Sequence, residues 1–193
     1  MDKKLSEKIY ASLVVVDFDY IAVRHLMAGA FFPSAGALAN IVIDRYIKTF
    51  LWSIARNDLA QKIRSWKGNK SHDIVSMIKL VNQDLKLGLE LDAKELEILK
   101  NLFQCYCFRY ADDLFKTQGM CEIKMNYMHT IDKACSFFRE QIKLIPPHYG
   151  NTIIDVLLSD NENGVAALST GNVNLRSVLI MDNPYCHNLC WKE

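Results

Sequence analysis

Between Ser34 and about Ala55, apolar residues return at steps of three and four: Ala35, Leu38, Ala39, Val42, Ile43, Tyr46, Ile47, Phe50, Leu51 and Ile54. That is the period of an α-helix with one buried face. Its other face carries Asn40, Asp44, Arg45, Lys48 and Thr49, with Asp44 and Lys48 in the favourable acid-first i,i+4 order. Pro33 and Ser34 mark the start, and Ser34 is the expected cap. Upstream, Phe18, Ile21, Ala22, His25, Ala28, Gly29 and Phe32 form a second stripe. A helix over residues 17 to 32 is therefore expected, joined to the next by a tight connection so that the two lie antiparallel.

Only four prolines and eight glycines in 193 residues leave room for further long helices. The Lys- and Gly-containing stretch 62 to 70 reads as a loop. Ser71 is expected to cap a third helix along Ile74, Val75, Ile78, Val81 and Leu85, stopped by Gly88. Asp92 and Glu95 open a fourth, with Leu96, Leu99, Leu102, Phe103, Tyr106 and Tyr110 on its apolar side. A fifth runs through Tyr127, Ile131, Ala134, Phe138, Ile142 and Ile145 and ends at Pro146 and Pro147. The predicted fold is an all-α, up-and-down bundle of four to five helices over residues 1 to 147. Residues 148 to 193, with two basic and five acidic side chains, read as an irregular acidic subregion packed on the bundle or extending from it. Its short apolar runs, such as Ile153 to Leu158 and Val178 to Met181, are compatible with a sixth helix or with extended pieces.

Half of the residues are hydrophobic, which suits one compact domain and excludes disorder and collagen-like structure. Twenty-three basic against 22 acidic residues exert no global pull on nucleic acid or membrane, so a charge-driven function must come from a local patch. No run of about 18 uncharged apolar residues offers a membrane span. The start, Lys3, Lys4 and Lys8 before Ile9 to Val16, imitates a signal peptide, but Asp2 and Glu7 interrupt it and Asp17 and Asp19 follow. No secretion signal is expected. The six cysteines, at 105, 107, 121, 135, 186 and 190, are too irregular for a disulfide scaffold and read as reduced thiols of a cytoplasmic protein.

Several residues taken in order resemble the HEPN family, the higher eukaryote and prokaryote nucleotide-binding helical domain. They are Ala22, Leu26 and Ala28; Phe31 and Phe32 at a turn; Ala35, Ala37 and Ala39 leading to Tyr46, Ile47 and Lys48; Ser71, His72, Asp73 and Ile74; and Tyr106, Arg109, Tyr110, Ala111 and Asp112. The resemblance spans roughly residues 17 to 145, about two thirds of the chain. It implies a helical bundle, often a homodimer, that binds nucleotide or RNA and works beside a nucleotidyltransferase or an antitoxin, in toxin and antitoxin pairs or in RNA-directed defence. The nuclease branch of the family carries an Arg, then four to six residues, then a His, on one helix, and cuts RNA without a metal. Here Arg64 and His72 are separated by seven residues across a glycine, Arg24 and His25 are adjacent, and Arg109 has no His until His129. Cleavage needs a cation on the phosphate and an imidazole beside it to move a proton. The expectation is thus a non-catalytic binding or interaction module. The alternatives are a metal-independent endoribonuclease at a dimer interface, using His72 and Arg109, and a purely structural dimerisation domain.

The candidate ligand-binding residues are Lys62, Arg64, Trp66, Lys67 and Lys70, together with Arg109 and Tyr110. Cations spaced along a loop can track phosphates, and an exposed indole can stack on a base. The plain alternative is a solvated loop with Trp66 tucked into the bundle. Ser71, His72 and Asp73 are accounted for by helix capping, and Arg109 by the negative end of the fourth helix. Cys186, His187 and Cys190 have ligand chemistry without the paired knuckles of a zinc site, so no metal is expected. No phosphate-cradling glycine loop, dinucleotide fingerprint or nucleophile elbow occurs, and no cofactor is expected.

Overall fold

Three polar contacts fix how the first two helices lie. Ser12 meets Thr49, Asp17 meets Tyr46 and Asp19 meets Arg45, so one chain position rises as the other falls and the pair is antiparallel. In the computed structural model, which describes residues 3–108, 123–124, 126–145, 150–159 and 174–186, these are α1 (Lys3–Ala28) and α2 (Phe32–Ser53). There follow α3 (Asn57–Arg64), a 3-10 turn (Gly68–His72), α4 (Ile74–Leu85), α5 (Ala93–Cys107), α6 (Tyr127–Lys143), α7 (Ile153–Leu158) and α8 (Leu175–Ile180). Glu95 pairs with Lys133 and Asn101 with Tyr127, which makes α5 and α6 antiparallel too. Asp17 and Arg24 reach Arg139 and Asp132 in the same inverted order, closing α6 onto α1. The chain is all-α among the described residues, and its core lies between α1, α2, α5 and α6. No helix among the described residues is long and apolar enough to cross a membrane.

The expected first helix is corrected in length and in face. It begins at Lys3, and its buried stripe is Ile9, Leu13, Val16, Tyr20, Val23 and Met27. Of the predicted stripe only Ile21 is buried, and Phe18 is 49 % exposed. Hydropathy misleads here because the core side of α1 also carries Asp17, Tyr20 and Arg24, while Val15 and Phe18 face outward. The expected Ser34 cap is also corrected: Phe31 is the N-cap and no side chain caps α2, whose first turn holds Pro33. Gly36 on α2 is a closely packed position. A Cβ there would come within 2.4 Å of Ile123 Cδ1 and 3.3 Å of Cys105 Cβ, so glycine lets α2 and α5 approach.

Residues 62 to 70 are not one loop. Lys62 and Arg64 end α3, and Lys70 lies in the 3-10 turn. Asp73, not Ser71, caps α4, accepting from the amides of Val75 and Ser76. α4 stops at Leu85 because Lys86 turns left-handed, two residues before the expected Gly88. The α5 start is as read, a capping box between Asp92 and Glu95. Thr152 and Asp155 form a second box at α7, and α7 and α8 both pack against α1. The expectation of reduced thiols is corrected at Cys105, which is disulfide-bonded, so the thiol argument for a cytoplasmic location does not hold there.

Two buried ionic clusters join these elements. In the first, Asp17 accepts from Tyr46 Oη at 2.5 Å, from Arg139 Nε at 3.1 Å and from Thr152 Oγ1. Arg139 also donates to Asp155 at 2.9 Å, and Lys143 pairs with Asp155. Burial pushes the Tyr46 hydroxyl well above its ordinary pKa, so it stays a donor to Asp17. Burial also raises the Asp155 carboxyl, but Arg139, Lys143 and the Thr152 amide outweigh it and hold it below the usual value. In the second cluster Arg24 donates to Asp132 and to the carbonyls of Val178 and Met181, while Tyr20 donates to Asp132 at 2.7 Å. The C-terminal end of α8 is thereby clamped to α1 by one guanidinium.

Candidate functional site

Asn40, Asp44 and Lys48 stand four residues apart, which lines them up along one side of α2. Against that line lies the 3-10 turn. His72 Nδ1 is 3.0 Å from Asp44 Oδ2, and Lys48 Nζ lies 2.6 and 2.9 Å from the two oxygens of the same carboxylate. Asn40 Nδ2 donates to the His72 carbonyl at 3.1 Å, and Lys48 donates to the Ser71 carbonyl at 3.4 Å. Tyr106, near the end of α5, sets its ring 4.9 Å from the imidazole, tilted by 40°. Two elements thus hold His72, α2 by the histidine's backbone and one ring nitrogen and α5 by one ring face. Its side chain remains 35 % exposed.

This geometry has a definite chemistry. A carboxylate at Nδ1 selects the tautomer that carries its proton there, which leaves the Nε2 lone pair as the acceptor in the neutral ring. Protonated, the same Nε2 becomes a charge-assisted donor suited to an anionic oxygen. Asp44 is 5 % exposed and serves two partners, Lys48 and His72. Asn40 Oδ1 is a buried acceptor with no partner among the described residues.

Ser71, His72 and Asp73 diverge. Ser71 Oγ donates to the Gly68 carbonyl at 3.2 Å, His72 turns to Asp44, and Asp73 caps α4. The three do not form a relay, and Asp44, 28 positions upstream, is the carboxylate that orients the imidazole. Lys62, Arg64, Lys67 and Lys70 are exposed, and none forms an ion pair with a described residue. Arg64 lies over the Trp52 ring at 5.9 Å. Trp66 is half-buried against the core, as in the plain alternative of an indole tucked into the bundle. Lys70 is two residues from His72 and joins the basic segment to the site by sequence. Arg109 and Tyr110 lie outside the described residues, as do His187 and Cys190. Among the described residues no group of three or more His, Cys, Asp or Glu side chains could hold a metal ion.

Sequence reasoning singled out His72 but paired it with Arg109 and left Asp44, Asn40 and Tyr106 without a role. A signal for Asp44 was present: an acid and a lysine four apart on the polar side of a long buried helix. What the spacing did not convey was that the 3-10 turn folds back over that side. Comparison of the chain with protein-family models, with curated proteins and with solved structures returns no match.

Proposed function

We propose that the chain is a HEPN-like helical module that binds a phosphate-bearing ligand, a nucleotide or RNA, at the His72 edge of the bundle without cleaving it. The observation that carries this reading is the imidazole anchored through Nδ1 on Asp44, about a third open to solvent and two residues from the cation-rich segment. Protonated His72 supplies a directed donor for one phosphate oxygen, and Lys62, Arg64, Lys67 and Lys70 supply the field that draws a polyanion to it. Arg109 and Tyr110, three and four residues after the Tyr106 that packs on His72, are the further candidates. The module acts in this reading as a homodimer, with a nucleotidyltransferase or antitoxin as protein partner.

The test is fluorescence anisotropy of a labelled single-stranded RNA titrated with the protein at several salt concentrations. Replacing Lys62, Arg64, Lys67 and Lys70 by Ala weakens binding and flattens its salt dependence, because fewer counterions are released. His72→Ala weakens binding without changing the salt slope by more than about one charge. Absence of wild-type binding at low salt removes the proposal and leaves the structural dimerisation domain.

A second reading, metal-independent endoribonuclease, is favoured by one specific feature. A carboxylate-oriented imidazole is the form in which histidine serves as general base. Incubation of labelled RNA with the protein and EDTA separates the two readings: the binding module leaves it intact. Cleavage lost in both His72→Ala and Arg109→Ala, with helical circular dichroism unchanged, replaces it by the nuclease.

A further inference from the structure

Among the described residues, the ends of α1 and α8 and the start of α6 surround a cavity of about 260 Å³. Its walls are mainly apolar: Met27 and Ala28 from α1, Met128 from α6, Val178 from α8 and Met181 just after it. Asn126, His129 and Asp182 are exposed and form a polar mouth. The His72 site is built on other elements, and no residue is shared.

The walls are held by bonds that do not depend on an occupant. Arg24, also at the cavity, donates from Nε to the Val178 carbonyl at 2.8 Å and from Nη2 to the Met181 carbonyl, so one guanidinium on α1 fixes the α8 wall. The first turn of α6 is tied to α5 through the Tyr127 hydroxyl, which accepts from Asn101 Nδ2 at 2.8 Å. A site formed in advance loses little freedom when it is filled. Arg24 brings no free charge, because its third nitrogen, Nη1, pairs with the buried Asp132. An organic anion therefore finds no uncompensated cation among the described residues and meets Asp182 at the mouth. An organic cation finds only that one exposed carboxylate, which solvent screens. The charge balance favours a neutral occupant.

Size and sulfur narrow the class further. A cavity of about 150 Å³ takes one benzene ring. One of about 260 Å³ has room for two fused rings. Met27 closes the floor at 1 % exposure, whereas Met128 is partly buried and Met181 is 52 % exposed at the mouth. Unbranched thioethers adjust their rotamers to the outline of a ligand, and their sulfur is attracted to the edge of an aromatic ring. An aliphatic molecule of the same bulk receives the burial without that contact.

We propose that this cavity binds a neutral bicyclic aromatic molecule, with its ring edges toward Met128 and Met181 and a ring face on Val178. The probe is indole, titrated calorimetrically into the full chain at several temperatures. Saturable one-site binding with a negative heat-capacity change is expected, because apolar surface leaves water. Val178→Trp fills the cavity from the α8 wall and weakens binding by about tenfold or more. Met128→Leu keeps the bulk and removes the sulfur, and weakens indole by about two- to tenfold. Cyclooctanol, neutral and of similar bulk but without a π-system, binds more weakly than indole and equally well to the wild type and to Met128→Leu. Leu144→Ala, at a 67 % exposed leucine at the other end of α6, leaves indole binding unchanged. Circular dichroism verifies that each variant is folded. Absence of saturable heat, an affinity unaltered in Val178→Trp or in Met128→Leu, an equal loss in Leu144→Ala, or cyclooctanol bound as tightly as indole each overturns the assignment.

Discussion

Arg139 is fully enclosed, and its charge is balanced by two carboxylates that come from opposite ends of the chain, Asp17 and Asp155. Burial works against the guanidinium, but Asp17 and Asp155 outweigh it and raise its pKa above the ordinary arginine value. Removing the cation takes Asp17's buried ion-pair partner away and leaves Asp155 to Lys143, so Arg139→Met should cost about 3–5 kcal/mol in urea unfolding, the range for breaking a buried pair from one side. Lys143 behaves differently. Burial and the neighbouring Arg139 push its pKa down to about 8. Between that value and the ordinary lysine range the unfolded chain binds more protons than the folded one, so this residue's contribution to stability rises with pH across the window. Below it the folded state bears the cost of a charged Lys143 beside Arg139. Stability measured for the wild type minus that of Lys143→Met should thus increase from pH 8 to pH 10. A flat difference would show that Lys143 keeps its ordinary affinity for a proton.

At the scale of elements, both ends of the α2 hairpin are closed by alanines in the left-handed region. Ala30 has φ 59° and Ala55 φ 56°, with Phe31 N bonded to Leu26 O and Arg56 N to Leu51 O. These are the closing bonds of Schellman motifs, where glycine carries no Cβ penalty. Ala30→Gly and Ala55→Gly should each stabilise the fold by about 0.5–1 kcal/mol, read as a higher urea midpoint. Gly36→Val should act in the opposite sense, by about 1–3 kcal/mol, because Ile123 and Cys105 already occupy the space. These positions also show how far the sequence could be read. α2, α5 and α6 were legible because their stripes are apolar along the core side and α5 opens on a capping box. The face of α1 was not, since Asp17, Tyr20 and Arg24 point inward to partners on α2, on α6 and at the C-terminal end of α8 that no local pattern reveals. The same limit governed the His72 site: the histidine could be picked out, but its orienting Asp44 comes from a helix whose side is covered only once the 3-10 turn folds over it.

For the whole molecule, inverting α1 has a consequence for assembly. With Asp17, Tyr20 and Arg24 turned inward, the outer side of α1 presents Ala11, Val15, Phe18 and Ala22, spaced four, three and four residues apart. Val15 is 51 % exposed, and none of the four is buried among the described elements. Apolar residues at alternating steps of three and four form the kind of seam that packs against another helix, with small alanines on either side of Val15 and Phe18 allowing close approach. In the proposed homodimer this seam meets its own copy about a two-fold axis, an arrangement in which a single patch serves both subunits. Light scattering at micromolar concentration should then give about twice 22.1 kDa. Phe18→Glu places a charge at the centre of the seam on each subunit. It should return the mass to that of one chain while leaving helical circular dichroism unchanged, because Phe18 takes no part in the bundle core. A dimer that survives Phe18→Glu would move the interface to another face, and a concentration-independent monomer in the wild type would remove it.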